Sequence, residues 1–214
     1  MGRNRSYIPA LGCKSLTPLY DSLIGFFLPE GSFRKRLIEQ SGITHGVSRV
    51  LDVGCGTATL ALIIKRTDPN IGVFGLDIDP DILRIAKRKC METDIFLVRA
   101  DASRLPYSDN AFDVVFSSLL LHHLTLENKR RAILEVFRVL RPGGEFHIAD
   151  FGKPHNLYTH LVSFLVRRFE EISDNVKGLL PELLCNSGFV DVRETARYTT
   201  VFGTLSLYRA KKPA

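Results

Sequence analysis

The sequence predicts an α/β fold built on a largely parallel sheet, and three observations carry that expectation. From about Arg49 to Ile148, short β-branched apolar runs alternate with amphipathic helical runs, the mark of repeated βαβ units. A glycine turn, Gly54-Cys55-Gly56, separates the first strand run from the first helical run. Carboxylates (Asp52, Asp77 and Asp101) stand at the ends of three successive strand runs. At 214 residues, 45% hydrophobic and 24% charged, the chain is long enough for one domain with a sizeable core.

The elements follow in order. Arg49 to Val53 reads as a strand broken at Gly54, and Leu60, Ile63 and Ile64 then recur at helical spacing until Pro69-Asn70. Ile71 to Leu76 is the next strand, followed by a helix that Asp79-Pro80 opens. Ile95 to Val98 and Phe112 to Ser117 make the third and fourth strands. A helix from about Glu127 to Leu140 buries Ala132, Ile133, Val136, Phe137 and Leu140, with Lys129, Arg130, Arg131 and Arg138 expected on its wet side. Arg141-Pro142-Gly143-Gly144 turns the chain into a fifth strand, Glu145 to Ala149.

After that the rhythm changes. Helical stretches from about Asn156 to Glu171 and Val176 to Asn186 precede two strands, Val190 to Thr195 and Thr204 to Arg209, whose turn at Gly203 predicts an antiparallel hairpin at the sheet edge. Before residue 49, Leu16 to Leu28 and Phe33 to Ile38 read as two short helices split by Pro29-Glu30-Gly31. They form an expected N-terminal helical cap or lid over residues 1–40, ahead of a main domain at 41–214.

Composition narrows the function. The formal charge of +6 gives nucleic-acid binding only a weak push. Cys13, Cys55, Cys90 and Cys185 form no C-x-x-C pair and have no histidine at ligand spacing, so neither a metal site nor a disulfide framework is expected. A reduced, cytoplasmic setting fits best. The longest apolar runs, Leu23 to Leu28 and Leu161 to Val166, fall short of the ~18 residues of a membrane span, which leaves only peripheral membrane contact open.

Glycines between a strand and a helix let a ligand approach the backbone at a helix N-terminus. Two ligands compete there, a nicotinamide dinucleotide and S-adenosylmethionine. The dinucleotide pattern wants Gly or Ala at position 59, where this chain has Thr59, and Asp52 would repel a pyrophosphate. The cationic ammonium and sulfonium groups of S-adenosylmethionine reverse that sign. Asp77, 21 residues after Gly56, can accept ribose hydroxyls from either ligand, and Ile78 would pack on adenine. Asp101 could accept from the adenine amino group while Ala102 offers its N–H to the ring.

The ordered set Val50-Leu51-Asp52-Val53-Gly54-Cys55-Gly56-Thr57, Gly75-Leu76-Asp77-Ile78, Ala100-Asp101-Ala102, Phe112-Asp113-Val114-Val115 and Leu140-Arg141-Pro142-Gly143-Gly144 spans residues 49–150. In it the chain resembles the class I S-adenosylmethionine-dependent methyltransferases, of the small-molecule type that includes the ubiquinone and menaquinone C-methyltransferases. The resemblance implies a Rossmann-like, doubly wound, seven-stranded sheet in the order 3-2-1-4-5-7-6 with the last strand antiparallel. It also implies cofactor contacts at Thr57, Asp77, Asp101, Ala102 and one of Ser117 and Ser118. Asp52, Gly54, Cys55, Gly56 and Ile78 complete that set, and Tyr20-Asp21 is similar to an N-terminal pair whose tyrosine borders the cofactor. Ala58 departs from the family, which usually has glycine there, and predicts a slightly altered turn.

Methyl transfer from a sulfonium is an in-line displacement that needs alignment and dryness, with a base only where the accepting atom must lose a proton. The fourth strand runs into His122 and His123, the titratable pair at that edge, and either could be the base. Asp150, ending the fifth strand, could orient a substrate hydroxyl. A small, apolar molecule is the favoured acceptor. Amino-methylating enzymes of DNA and RNA carry an Asn/Asp-Pro-Pro-aromatic motif where this chain has Ser117-Ser118-Leu119-Leu120. Those acting on pyrimidine C5 need a cysteine nucleophile, whereas Cys55 is in the glycine turn. Two other readings stay open: an NAD-dependent oxidoreductase, whose Tyr-x-x-x-Lys spacing occurs at Tyr208 to Lys212 in the tail, and a non-catalytic partner subunit of the same fold.

Overall fold

The computed structural model describes residues 30–43, 47–166 and 174–214. Seven strands form one sheet in the order β3-β2-β1-β4-β5-β7-β6. They are β1 (Arg49–Val53), β2 (Gly72–Asp77), β3 (Phe96–Arg99), β4 (Phe112–Ser118), β5 (Leu140–Phe151), β6 (Val190–Thr200) and β7 (Gly203–Lys211). β1 to β5 pair in parallel, while β7 runs antiparallel to both β5 and β6. Helices α1 (Glu30–Glu39), α2 (Thr59–Thr67), α3 (Pro80–Lys89), α4 (Leu126–Val139), α5 (Leu157–Val166) and α6 (Leu180–Asn186) accompany the sheet.

Each face of the sheet buries its own apolar cluster. On one, Phe33 and Leu37 of α1 and Leu60 and Ile64 of α2 pack with Val50, Phe116 and Ala149. On the other, Ala132, Ile133 and Val136 of α4 and Leu180 and Leu184 of α6 meet Leu51, Val115 and Ile148. The alternation of Val50 with Leu51 and of Val114 with Val115 between the two clusters is the period-two signature of a strand buried on both sides. Asp113 ties the strand starts together by accepting from the N–H groups of Ser48 (2.6 Å) and Arg49 (2.7 Å).

Local chemistry starts the helices where expected. Asp79 caps α3 by accepting from Asp81 N–H and Ile82 N–H, with Pro80 in the first position. Thr125 caps α4 by accepting from Asn128 N–H at 3.4 Å.

Several expectations need correction. Lys129 is fully buried rather than on the wet side of α4, because Asn175 Oδ1 accepts its Nζ–H at 2.7 Å and Asp174 lies 3.8 Å away. The fifth strand begins at Leu140, before the Arg141-Pro142-Gly143-Gly144 segment, and its register with β4 shifts between Phe112 and Val114. The helix expected from Val176 starts at Leu180, since Gly178 adopts φ +77° and interrupts it. The hairpin strands are longer than their apolar cores suggested, reaching Thr200 and starting again at Gly203.

Of the expected cap, Leu16 to Leu28 lies outside the described residues, as does the end of the helix expected to reach Glu171. The second cap helix is present as α1 and packs on the sheet, with Phe33 and Leu37 at 0% exposure. Just past it, Gln40 Nε2 lies 3.1 Å from His147 Nδ1 and donates to Tyr208 O at 3.3 Å, which pins the helix end to β5 and β7.

Candidate active site

The glycine turn lies at the C-terminal end of β1, beside β4, where the order of strands reverses. Gly54 N–H and Cys55 N–H both donate to Leu76 O at 2.9 Å, which docks the turn on the end of β2. Gly54 (φ +74°) admits no side chain, since a Cβ would meet Leu120 at 2.9 Å. Gly56 (φ +53°) instead faces open space, as a backbone cradle for a ligand requires. Ala58 adopts the left-handed conformation (φ 63°) at the N-terminus of α2. The altered turn expected there thus takes the form of a non-glycine residue in glycine's backbone region.

The acids gather around this turn. Asp77 Oδ2 accepts Gly56 N–H at 3.0 Å and Oδ1 accepts Asp79 N–H at 2.9 Å, so two backbone bonds aim the carboxylate and leave lone pairs to spare. Burial pushes its pKa up, against the pull of those N–H groups. Asp52, 1% exposed, is pushed up to about 7 by burial, with Arg34 pulling it down and Asp77 pushing it up. Its Oδ2 has no hydrogen-bond partner, nor do the buried hydroxyl oxygens of Ser117 and Ser118 at the end of β4. β1 and β4 pair Asp52 with Phe116 and Val53 with Ser117, so Asp52 and Ser118 stand on the face that carries α1 and α2, and Ser117 on the opposite face at the same sheet edge.

Asp101 Oδ1 accepts from Ser103 N–H and Oγ–H, both at 2.8 Å, while Ile78 is half-buried with its carbonyl accepting from Arg99 Nε at 3.1 Å. Cys55 and Ala102 are buried. Thr57 stands just after the turn. Its Oγ1 accepts from Lys89 Nζ at 3.1 Å and lies 3.1 Å from Thr59 Oγ1, an arrangement that braces the helix start. Tyr20 lies outside the described residues.

At the far side of the crevice the structure joins all three proposed catalytic residues. His122 and His123 sit on a 3₁₀ turn, Leu121–His123, with ring centroids 4.0 Å apart. Asp150 Oδ1 lies 2.9 Å from His122 Nδ1, and its Oδ2 accepts His122 N–H at 3.3 Å. Burial, then the neighbouring His122, drives His123 down to about 3, so it is neutral at physiological pH.

Sequence reasoning missed three residues here. Arg34 of α1, 9% exposed, faces Asp52, while Lys129 and Asn175 stand behind Asp150. Lys129 carried one signal: with Ala132, Ile133 and Val136 it completes the helix's buried stripe. Among the described residues no three His, Cys, Asp or Glu side chains stand close enough to hold a metal ion.

The seven-stranded order 3-2-1-4-5-7-6, with a glycine turn at its switch point and acids at its strand ends, is the arrangement that the sequence resemblance implied. Residues 50–144 match the family model described as a methyltransferase domain. The sequence is 36% identical over 129 residues to the ubiquinone/menaquinone biosynthesis C-methyltransferase UbiE of Stutzerimonas stutzeri, covering 58% of this chain and 49% of that protein. It is 33% identical over 144 residues to the demethylmenaquinone methyltransferase of Thermus thermophilus, covering 65% of this chain and 64% of that protein. The chain therefore spans from about half to just under two thirds of these relatives.

Among solved structures, the Haemonchus contortus phosphoethanolamine N-methyltransferase 2 in complex with S-adenosyl-L-methionine superposes with a TM-score of 0.78 at 16% identity, covering 96% of this chain and 59% of that one. The [4+2]-cyclase SpnF does so with a TM-score of 0.67 at 22% identity, covering 86% of this chain and 80% of that one. At these identities the likeness is one of fold.

Proposed function

We propose that this protein transfers the methyl group of S-adenosylmethionine to a small, apolar acceptor. The observation that carries this reading is the set of buried polar atoms without partners at the ends of β1 and β4: Asp52 Oδ2, Ser117 Oγ and Ser118 Oγ. Buried polar atoms are ordinarily bonded, and a carboxylate among them suits a cationic ligand with polar edges. When bound, S-adenosylmethionine supplies an electrophilic methyl on a sulfonium.

The residues divide the work of holding it. Asp77, aimed by Gly56 and Asp79, takes the ribose hydroxyls, while Ile78, Asp101 and Ala102 take the adenine. Gly54, Cys55, Gly56 and Thr57 shape the turn, and Asp52 and the two serines face the amino-acid end. Tyr20 keeps a place beside the cofactor in this reading. Where the acceptor must shed a proton, His122 receives it on Nε2, and Asp150 fixes the ring through Nδ1.

The names of the relatives make a reduced quinone the first acceptor to try. Exposed Leu157, Tyr158, Leu161 and Val201 support an apolar substrate and a peripheral contact with lipid. Tyr158 Oη–H donates to Val201 O at 3.1 Å and joins the helix to the hairpin tip. Free thiols at Cys55, Cys90 and Cys185 support a cytoplasmic setting. Residues 1–40 as cap and 41–214 as core complete the proposal.

The test is to incubate the protein with S-adenosylmethionine and a short-chain demethylmenaquinol under reducing conditions and follow S-adenosylhomocysteine by mass spectrometry. Release above the acceptor-free background, with a product one methylene heavier, is expected. Absence of heat on titration with either S-adenosyl compound would overturn the function. Binding without turnover would remove only the quinone.

A further inference from the structure

Behind His122 a chain of buried polar groups crosses from the active-site edge to α4. Lys129 Nζ donates to Asn175 Oδ1 at 2.7 Å, Asn175 Nδ2 donates to Asp150 Oδ1 at 3.0 Å, and the same oxygen lies 2.9 Å from His122 Nδ1. None of the four side chains is appreciably exposed: Lys129 and Asp150 are at 0%, Asn175 at 1% and His122 at 7%. Burying an ammonium and a carboxylate is costly unless both are fully bonded, so a stability role alone is a poor reason to place them here.

The direction of every bond in the chain follows from donor chemistry. An ammonium can only donate, which turns the oxygen of the Asn175 amide toward Lys129 and its nitrogen toward Asp150. An ionised Asp150 can only accept, which requires the proton of His122 to sit on Nδ1. In the neutral imidazole Nε2 is then the bare nitrogen. We infer that Lys129 and Asn175 are positioning residues that hold Asp150 ionised and thereby keep His122 in the tautomer with Nε2 open toward the acceptor. The inference rests on the proposed base role of His122 for its purpose, though not for its geometry.

The surroundings agree. Burial works to raise the pKa of Asp150, and His122, the Phe151 N–H and Lys129 together outweigh it, leaving the carboxyl below its usual range. Among the described residues, the other titratable groups around the chain are His123 on the same 3₁₀ turn, Asp174 at 3.8 Å from Lys129, and Tyr208 on β7. His123, held neutral, adds no charge to the pair. Phe151 N–H also donates to Asp150 Oδ1 at 2.7 Å, so the carboxylate keeps a backbone anchor in any side-chain variant.

The test reads the tautomer itself. Nitrogen-15 spectra of the imidazoles of the full chain with S-adenosylhomocysteine, the His122 signals assigned by their loss in His122→Asn, should show a protonated Nδ1 and a bare Nε2 at pH 8. In Lys129→Met and in Asn175→Leu, the pKa of Asp150 should rise by the several pH units that full burial can impose, far enough to hold a proton at pH 8, and the His122 proton should shift toward Nε2. Asn175→Ser, too short to bridge and the mildest change, decides the matter if either variant fails to fold. Folded variants that keep the parent tautomer overturn the inference. Turnover of the demethylmenaquinol probe, measured alongside, separates the two readings. A moved proton with an unchanged rate leaves the relay standing and removes His122 as the base.

Discussion

The carboxylate of Asp77 and the backbone of Gly56 are joined across the mouth of the crevice by a 3.0 Å hydrogen bond, from the end of β2 to the first turn after β1. The bond spans 21 residues and fixes the acid and the glycine turn relative to each other. Asp77→Ala removes that anchor together with the acceptor for two ribose hydroxyls. S-adenosylhomocysteine should then bind about 2 to 4 kcal/mol more weakly by calorimetry, while the far-ultraviolet spectrum stays that of the parent. An unchanged dissociation constant would detach Asp77 from the cofactor.

Asp52 makes the empty protein pH-sensitive. Its folded-state pKa, about 7, lies above the ordinary 3.8, so between those values the folded chain holds a proton that the unfolded chain releases. The favourable contribution is full below pH 3.8 and is lost as pH rises through about 7. By pH 8 the loss is on the order of 4 kcal/mol. Asp52→Asn should therefore stabilise the ligand-free protein at pH 8 and flatten its urea midpoint between pH 5 and 8. The same variant should lose the rise in S-adenosylmethionine affinity expected from about pH 6 to 7.5 as Asp52 ionises to meet a cation.

The two adjacent histidines should behave differently. With its pKa near 3, set mainly by burial and then by His122, His123 carries no proton at neutrality, so His123→Asn should leave the shape of the pH–rate profile intact. Its effect on stability has the opposite sign to that of Asp52. The unfolded chain protonates first, so stability falls as pH drops from about 6.5 toward 3. His122→Asn should instead lower turnover by about 10² to 10⁴ while the S-adenosylhomocysteine dissociation constant holds. Equal losses in both variants would contradict the division of roles.

Ala58 in the left-handed region costs about 1 kcal/mol relative to a residue at ease there. Ala58→Gly should raise the denaturation midpoint correspondingly, with cofactor affinity unchanged. A fall in stability would mean that packing of the buried methyl outweighs the backbone strain.

Truncation separates the two parts of the N-terminal region. Removing residues 1–36 deletes Phe33 and Arg34, which are built into the core and the Asp52 environment, and should destabilise the fold by several kcal/mol, about what losing one large core side chain costs. Removing residues 1–29, Tyr20 among them, should leave a folded protein that retains most of its cofactor affinity and transfers methyl poorly. Full turnover by the shorter deletion would rule out a lid in that stretch.

Much of this was legible in the residue order. The βα alternation, the glycine turn, the Asp79-Pro80 cap and the terminal hairpin are all encoded over a few residues, through periodicities of two and 3.6 and through side chains that bond their own backbone. The three strand-end acids could be read the same way, because a parallel sheet gathers the C-terminal ends of its strands along one edge. What neighbours them was not legible. Lys129 looks like a solvated lysine until Asn175, 46 residues on, arrives to bond it, and Arg34 looks like one of three basic residues until its helix lands against Asp52. The pairing of His122 with Asp150 spans 28 residues and two elements. Burial of charge is decided by partners that chain folding brings together, so the scaffold and the cofactor turn belong to the sequence, while the ionisation states and the tautomer at the acceptor edge belong to the tertiary structure.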